Sequence, residues 1–417
     1  MRRIHLLAWC AALLINAGAC AAEPEFSGQI RTWWMDPRAN GDGPLAQADA
    51  LAPGLVAPPR GNGTLEAELH ASGHGITAIG TLHGQRDEGG PTSSRAFFNE
   101  LYASHDAWGW SFSAGKKIVS WDVGYGFRPN DVVEQETRRT LLAVTPEGRA
   151  ALTAEHFSAD TAWTFVLVNP TQSRAALGAD EPALAARVYR RDGAIDWHGF
   201  ARWGARTHAS LGGAVAWVAS ESIELHASAR LLTRADTLAI DPTLATGALV
   251  PANPWQPASV SHPVQALVGG TWTNEAQVSL LAEAWWDGTA LSDGQWSDWA
   301  ARNDALARLA ANPPPGLPMQ AVAGNLAAQA SAYGASTNLR RANLYARASW
   351  QHDKWQPAID MLYTPADRGR LVTASVGWQG DRVRIDGGLR VYGGPSNALL
   401  AQLPTRRIVY LAGTWSF

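Results

Sequence analysis

The chain has 417 residues, a formal net charge of −3 and an isoelectric point near 6.4, so its charge supplies no general attraction to nucleic acid or to anionic lipid. Glycine (40) and tryptophan (20) are abundant and methionine (4) is scarce, and the 46 % hydrophobic content is spread as alternation rather than gathered into helical faces. This composition disfavours a helical bundle and a nucleic-acid binder, and points to a β protein.

Residues 1–22 read as an export signal. Arg2 and Arg3 give a basic start, Leu6 to Ile15 an apolar core, and Ala19-Cys20-Ala21 a small-residue cleavage site. A single domain is then expected over 23–417. Both cysteines, Cys10 and Cys20, fall in the leader, so no disulfide, thiolate metal site or cofactor is expected in the exported part. Ala17 stands where lipoprotein signals carry leucine, which argues against lipidation of Cys20. No later run of about 18 apolar residues offers a transmembrane helix.

The chain instead alternates with period two in segments of about ten residues, the length a tilted strand needs to cross a bilayer. Within 223–231, Ile223, Leu225, Ala227, Ala229 and Leu231 share one face, and Glu224, His226, Ser228 and Arg230 the other. Segments 341–351 and 383–391 separate in the same way. Strands are predicted at 25–35, 64–73, 75–86, 95–106, 110–120, 149–157, 161–169, 183–191 and 194–204. The series continues at 208–220, 223–234, 262–274, 276–287, 340–352, 355–364, 370–380, 382–393 and 406–417.

That makes about 18 strands, with 16 as the alternative, in a transmembrane antiparallel β-barrel. Short polar turns alternate with mostly longer stretches at 36–63, 87–94, 121–148, 170–182, 235–261, 288–339 and 394–405, as short periplasmic turns and long extracellular loops would. Loop 288–339 holds an amphipathic helix around 298–311 and is expected to cap the mouth, in preference to entering the lumen. The last strand places Val409, Leu411, Gly413, Trp415 and Phe417 on one face. It is similar to the carboxy-terminal signal read by the barrel-assembly machinery, carried by Trp415 and Phe417.

The stretch 115–133, GKKIVSWDVGYGFRPNDVV, followed by Arg138 and Arg139, resembles a segment of porin-like proteobacterial barrels of the alginate-export kind. The resemblance implies an outer-membrane location and a transport role.

A closed barrel must satisfy its backbone internally and encloses space, so function is sought in the lumen. Its expected lining includes Arg187, Arg202, Arg230, Arg347, Arg384 and Arg390, set against acids such as Glu66, Glu224, Glu283 and Asp386. Ion-pair ladders or an anion-favouring path would both follow. Loop 121–148 is the expected constriction, because it concentrates Asp122, Arg128, Asp131, Glu134, Glu136, Arg138 and Arg139. Apolar-phase tryptophans at 34, 110, 203, 217, 272, 286, 350, 378 and 415 are expected to form interfacial girdles.

The expected function is a porin-like channel for small polar solutes, anions included. Its partners would be outer-membrane lipid and lipopolysaccharide, the assembly machinery and the solute, with no nucleic acid and with a monomer preferred to a trimer. An exporter working with periplasmic partners is the alternative. An enzyme is disfavoured: the pairs Asp196/His198 and Glu224/His226 merely report strand periodicity, and no Gly-x-Ser-x-Gly or His-Glu-x-x-His motif occurs. Alternation begins within a few residues of the expected mature start, leaving no room for a plug domain.

Overall fold

The computed structural model describes residues 24–134, 141–142, 145–171, 180–240, 249 and 253–417. The expected export signal, and Cys20 with it, lies outside the described residues.

Eighteen strands form one closed antiparallel sheet. The first half comprises β1 (Glu25–Ala39), β2 (Asn62–Gly73), β3 (Ile76–Asp87), β4 (Thr92–Ala107), β5 (Trp110–Lys117), β6 (Arg149–Phe157), β7 (Thr161–Val168), β8 (Ala183–Asp192) and β9 (Ile195–Gly204). It continues through β10 (His208–Ser220) and β11 (Ile223–Leu232). The hairpin β12 (Arg234–Ile240) and β13 (Trp255–Ser261) stands apart, so β11 pairs directly with β14 (Val264–Thr273). The ring is completed by β15 (Val278–Asp287), β16 (Ala342–Trp350), β17 (Trp355–Thr364), β18 (Gly369–Gln379), β19 (Val383–Gly393) and β20 (Thr405–Ser416), which pairs with β1.

Alternation decides which side of the wall each residue takes. On β11 Ile223, Leu225 and Leu231 are exposed, while His226, Ser228 and Arg230 are buried inside. Leu65, Leu69, Leu82, Leu211, Leu231 and Val268 are each more than half exposed on the outer surface. Exposed tryptophans flank this band, with Trp34, Trp203 and Trp286 toward the long-loop rim and Trp217, Trp272, Trp350 and Trp415 toward the short-turn rim. Apolar outside and polar inside inverts a soluble protein and suits hydrocarbon around a wet interior.

Strand number and order agree with the alternation pattern, although β1 runs four residues past its expected end. The long connections hold more structure than composition implied. Connection 36–63 contains helix α1 (Pro44–Leu51), and 235–261 contains the β12–β13 hairpin. Connection 288–339 contains two helices, α2 (Asp293–Ala311) and α3 (Met319–Ala328), then a 3₁₀ turn at Gln329–Gly334. Ser292 caps α2 by accepting from Gln295 N, and the Gln295 side-chain oxygen accepts in turn from Ser292 N.

These pieces assemble a cap with its own core at the long-loop rim. Trp255, Leu291, Trp296, Trp299, Tyr333 and Leu399 form one apolar cluster, and Ala48, Leu306, Val322 and Leu326 another.

Candidate functional site: a lumen divided by one loop

Between β5 and β6 the chain turns inward. The lumen faces of β6 to β10 carry Ala151, Val166, Val168, Ala183, Ala185, Phe200 and Ala214, and Val119, Trp121, Val132 and Val133 of the loop pack on them as one buried cluster. Burying a large apolar side chain completely contributes about 1.5–3 kcal/mol, so this contact alone holds the loop against the wall.

Polar contacts then carry the loop across. Asn130 Nδ2 donates to Ser228 Oγ at 2.9 Å and to Ala229 O at 3.0 Å, and Arg230 donates to Pro129 O at 3.2 Å. Gly212 on β10 makes room for this docking, because a Cβ there would overlap the Asn130 side chain. On the far wall Glu283 of β15 accepts from Tyr125 N at 2.6 Å and from Gly126 N, while His226 bonds it at 2.9 Å. Phe127 stacks on Trp285 and Tyr125 on Tyr345, each with ring centroids 6.0 Å apart. From β5 to β15 the ring passes β6 to β11, then β14, and reaches β15 as the eighth strand on, close to half of the 18. The loop therefore bridges the lumen nearly along a diameter.

Three of the four acids expected in the constriction are taken up by contacts within the loop and with the wall beside it. Asp122 accepts from Asn130 N at 2.5 Å and Ser228 Oγ at 2.8 Å. Asp131 accepts from Ser120 Oγ at 2.7 Å and from Trp121 N at 3.3 Å. Glu134 accepts from Val119 N at 3.2 Å and lies 3.4 Å from Arg149 Nε. Burial raises all three carboxyls above the usual range, that of Glu134 to about 7. They act as staples of a buried loop rather than as charges presented to a passage. Glu136, Arg138 and Arg139 lie outside the described residues.

Two spaces adjoin the loop among the described residues. The larger, about 690 Å³, lies between Tyr125-Gly126 and the wall from β16 to β20. Tyr345, Leu362, Tyr392 and Tyr410 line it, with Arg347, Asp360, Thr373 and Arg390 among the polar groups, and Asn338 and Leu403 of the cap connections border it. Arg347 sits 3.6 Å from Asp360. Arg390 donates to Thr373 Oγ1 at 3.0 Å and has no carboxylate within 4.0 Å among the described residues. The smaller space, about 140 Å³, is lined by Arg128, Arg202, Arg230, Arg234 and Asp236, among others. Arg202 is paired with Glu181 at 2.7 Å.

The other expected lumen residues are spread along the wall. Arg187, midway along β8, approaches His198 at 3.2 Å, and Arg384 pairs with Asp386 at 2.7 Å toward the short-turn rim. Asp196 accepts from the Tyr189 hydroxyl at 2.6 Å rather than meeting His198. Trp415 and Phe417 sit together at the closure with centroids 5.0 Å apart, and Phe417 exchanges two backbone bonds of 3.0 Å with Gly28.

Sequence reasoning missed Asn130, Ser228 and the apolar inner wall. One signal was present. Phe165-Val166-Leu167-Val168 is apolar on both faces of β7, and a strand facing lipid outside and water inside has no use for an apolar inner face.

No family model matches this chain, and no curated protein matches it. Solved structures do. OccAB1 of Acinetobacter baumannii aligns over 97 % of this chain and 99 % of its own, at 9 % identity and a TM-score of 0.56. OccK5 (OpdH) of Pseudomonas aeruginosa aligns over 95 % and 98 %, at 9 % identity and 0.54. OccAB3 of Acinetobacter baumannii aligns over 95 % and 99 %, at 7 % identity and 0.52. These neighbours are outer-membrane porins. The chain thus has the fold of an 18-stranded porin barrel.

Proposed function

We propose that the protein is a passive outer-membrane channel for small polar solutes, with anions favoured. The observation that carries this reading is the undivided part of the lumen. The loop fills the β6–β10 side with apolar packing and leaves the β16–β20 side open, so solute would pass eccentrically, between Tyr125 and the wall. Of the charged groups described on that path, Arg347 is offset by Asp360, whereas Arg390 has no such partner among the described residues. A surplus guanidinium in a narrow path raises the local concentration of anions.

The porin fold of the matched structures supports the transport role and the membrane assignment. Kinship with alginate-export barrels rests only on residues 115–133 with Arg138 and Arg139 after them. In this chain that stretch is largely the lumen-crossing loop, whose tryptophan, glycines and proline are accounted for by how it docks.

Reversal potentials in a planar bilayer under a salt gradient test the proposal. Stable open steps with anion selectivity are expected, and Arg390→Gln should move the reversal potential toward cations without lowering the open-step frequency. A barrel that inserts but passes no current would overturn the reading.

A further inference from the structure

Arginines are distributed unevenly around the outward face of the long-loop rim. On β1 Trp34 faces outward and Arg38 follows four residues on, in the same phase and exposed. Arg407 of β20 is its direct register partner and is exposed as well. Arg370, the second residue of β18, takes the outward phase, since its neighbour Leu371 lines the lumen space, and its Nε lies 3.9 Å from where a Cβ on Gly393 would stand. Arg86 on β3 shares the phase of Leu82, which is 61 % exposed. From β6 to β16 the outward residues near the same rim are apolar, among them Leu167, Leu184, Trp203, Leu231, Val264 and Trp286.

The four arginines stand at one height. In a barrel whose strands tilt by 35–45°, a level line descends about 1–1.5 residues in register per strand. Five strand steps separate Arg370 from Arg86. The register falls two residues from Gly393 to Val391 on β19, and four more from Arg38 to Trp34 on β1, where Gly63 leads across to Arg86. Six residues in five steps keeps the row level, just beyond the tryptophan that marks the headgroup region. Asp36, 3.6 Å from Arg38, is the one carboxylate within 4.0 Å of any of the four among the described residues.

We propose that this arc docks the phosphates of an outer-leaflet glycolipid. Guanidinium forks suit phosphate, and their place above an apolar wall bearing Leu65 and Leu411 selects an amphiphile, with acyl chains on the wall and phosphates at the arginines, over a free anion. The inference rests on the outer-membrane assignment and not on conduction.

The full-length protein in phosphatidylcholine nanodiscs, with purified lipid A added, provides the test, read by native mass spectrometry of retained lipid. Wild-type barrels should retain lipid A on the order of tenfold better than dephosphorylated lipid A, a preference that inorganic phosphate does not abolish. The variant R38Q/R86Q/R370Q/R407Q should lose that preference, whereas R384Q, removing a lumen arginine, should keep it. Equal retention by the quadruple variant, no discrimination by the wild type, or displacement by inorganic phosphate would each overturn the proposal. Heat-modifiable mobility on gels verifies that each variant is a folded barrel, and each variant changes only exposed or lumen side chains.

Discussion

Glu283 illustrates how one side chain on the wall decides where a loop lies. Its two oxygens receive the Tyr125 and Gly126 amides from the loop and a ring nitrogen of His226 from β11. Hydrogen bonds to a charged group contribute about 1.5–3 kcal/mol each. Glu283→Ala should therefore release the loop tip, and single-channel recordings should show larger, noisier open steps than wild type. Glu134 sets a pH dependence of defined sign. Its carboxyl titrates near 7 in the folded protein against 4.5 when free, because burial favours the neutral acid. The protonated form thus favours the docked loop, a contribution of at most about 3 kcal/mol that is fully present below pH 4.5 and lost as pH rises through 7. Current fluctuations should grow between pH 5 and pH 8 in the wild type, and Glu134→Gln should flatten that dependence across the same interval.

The loop and the cap are elements whose stability can be probed apart from the barrel. Gly212 and Asn130 meet where the loop rests on β10. Gly212→Val should force Asn130 away, leave its amide unsatisfied at a cost of about 1–3 kcal/mol, and open residues 118–134 to protease while the barrel keeps its heat-modifiable mobility. Trp299 is 1 % exposed at the centre of the cap. Its replacement by alanine should cost the cap about 3–5 kcal/mol and speed proteolysis within 288–339, again without loss of the barrel.

Legibility from sequence divides along the same line. Strand number, order and facing were readable, because each strand separates lipid from water and so writes period two into the chain. The interior arrangement was not, because counting charges in 121–148 does not reveal that Asp122, Asp131 and Glu134 are taken up by contacts within the loop and with Ser228 and Arg149 of the wall. The cap was half legible. Helical periodicity announced α2, but the short α1 and the β12–β13 hairpin carry little pattern of their own and are held by contacts distant in sequence, such as Ala48 with Leu306.

At the scale of the molecule, the barrel is an 18-stranded wall with an apolar-packed side along β6 to β10 and an open, wet side along β16 to β20, separated by a loop that crosses from β5 to β15. Residues 23–417 contain no cysteine, so single cysteines can report which side conducts. The decisive measurement compares the effect of a charged thiol reagent on open-channel current for Arg390→Cys, on the wet side, and Val166→Cys, beneath the loop. Modification should sharply reduce current at position 390 and leave it unchanged at position 166. Equal block at both positions, or block at position 166 alone, would contradict this division of the lumen.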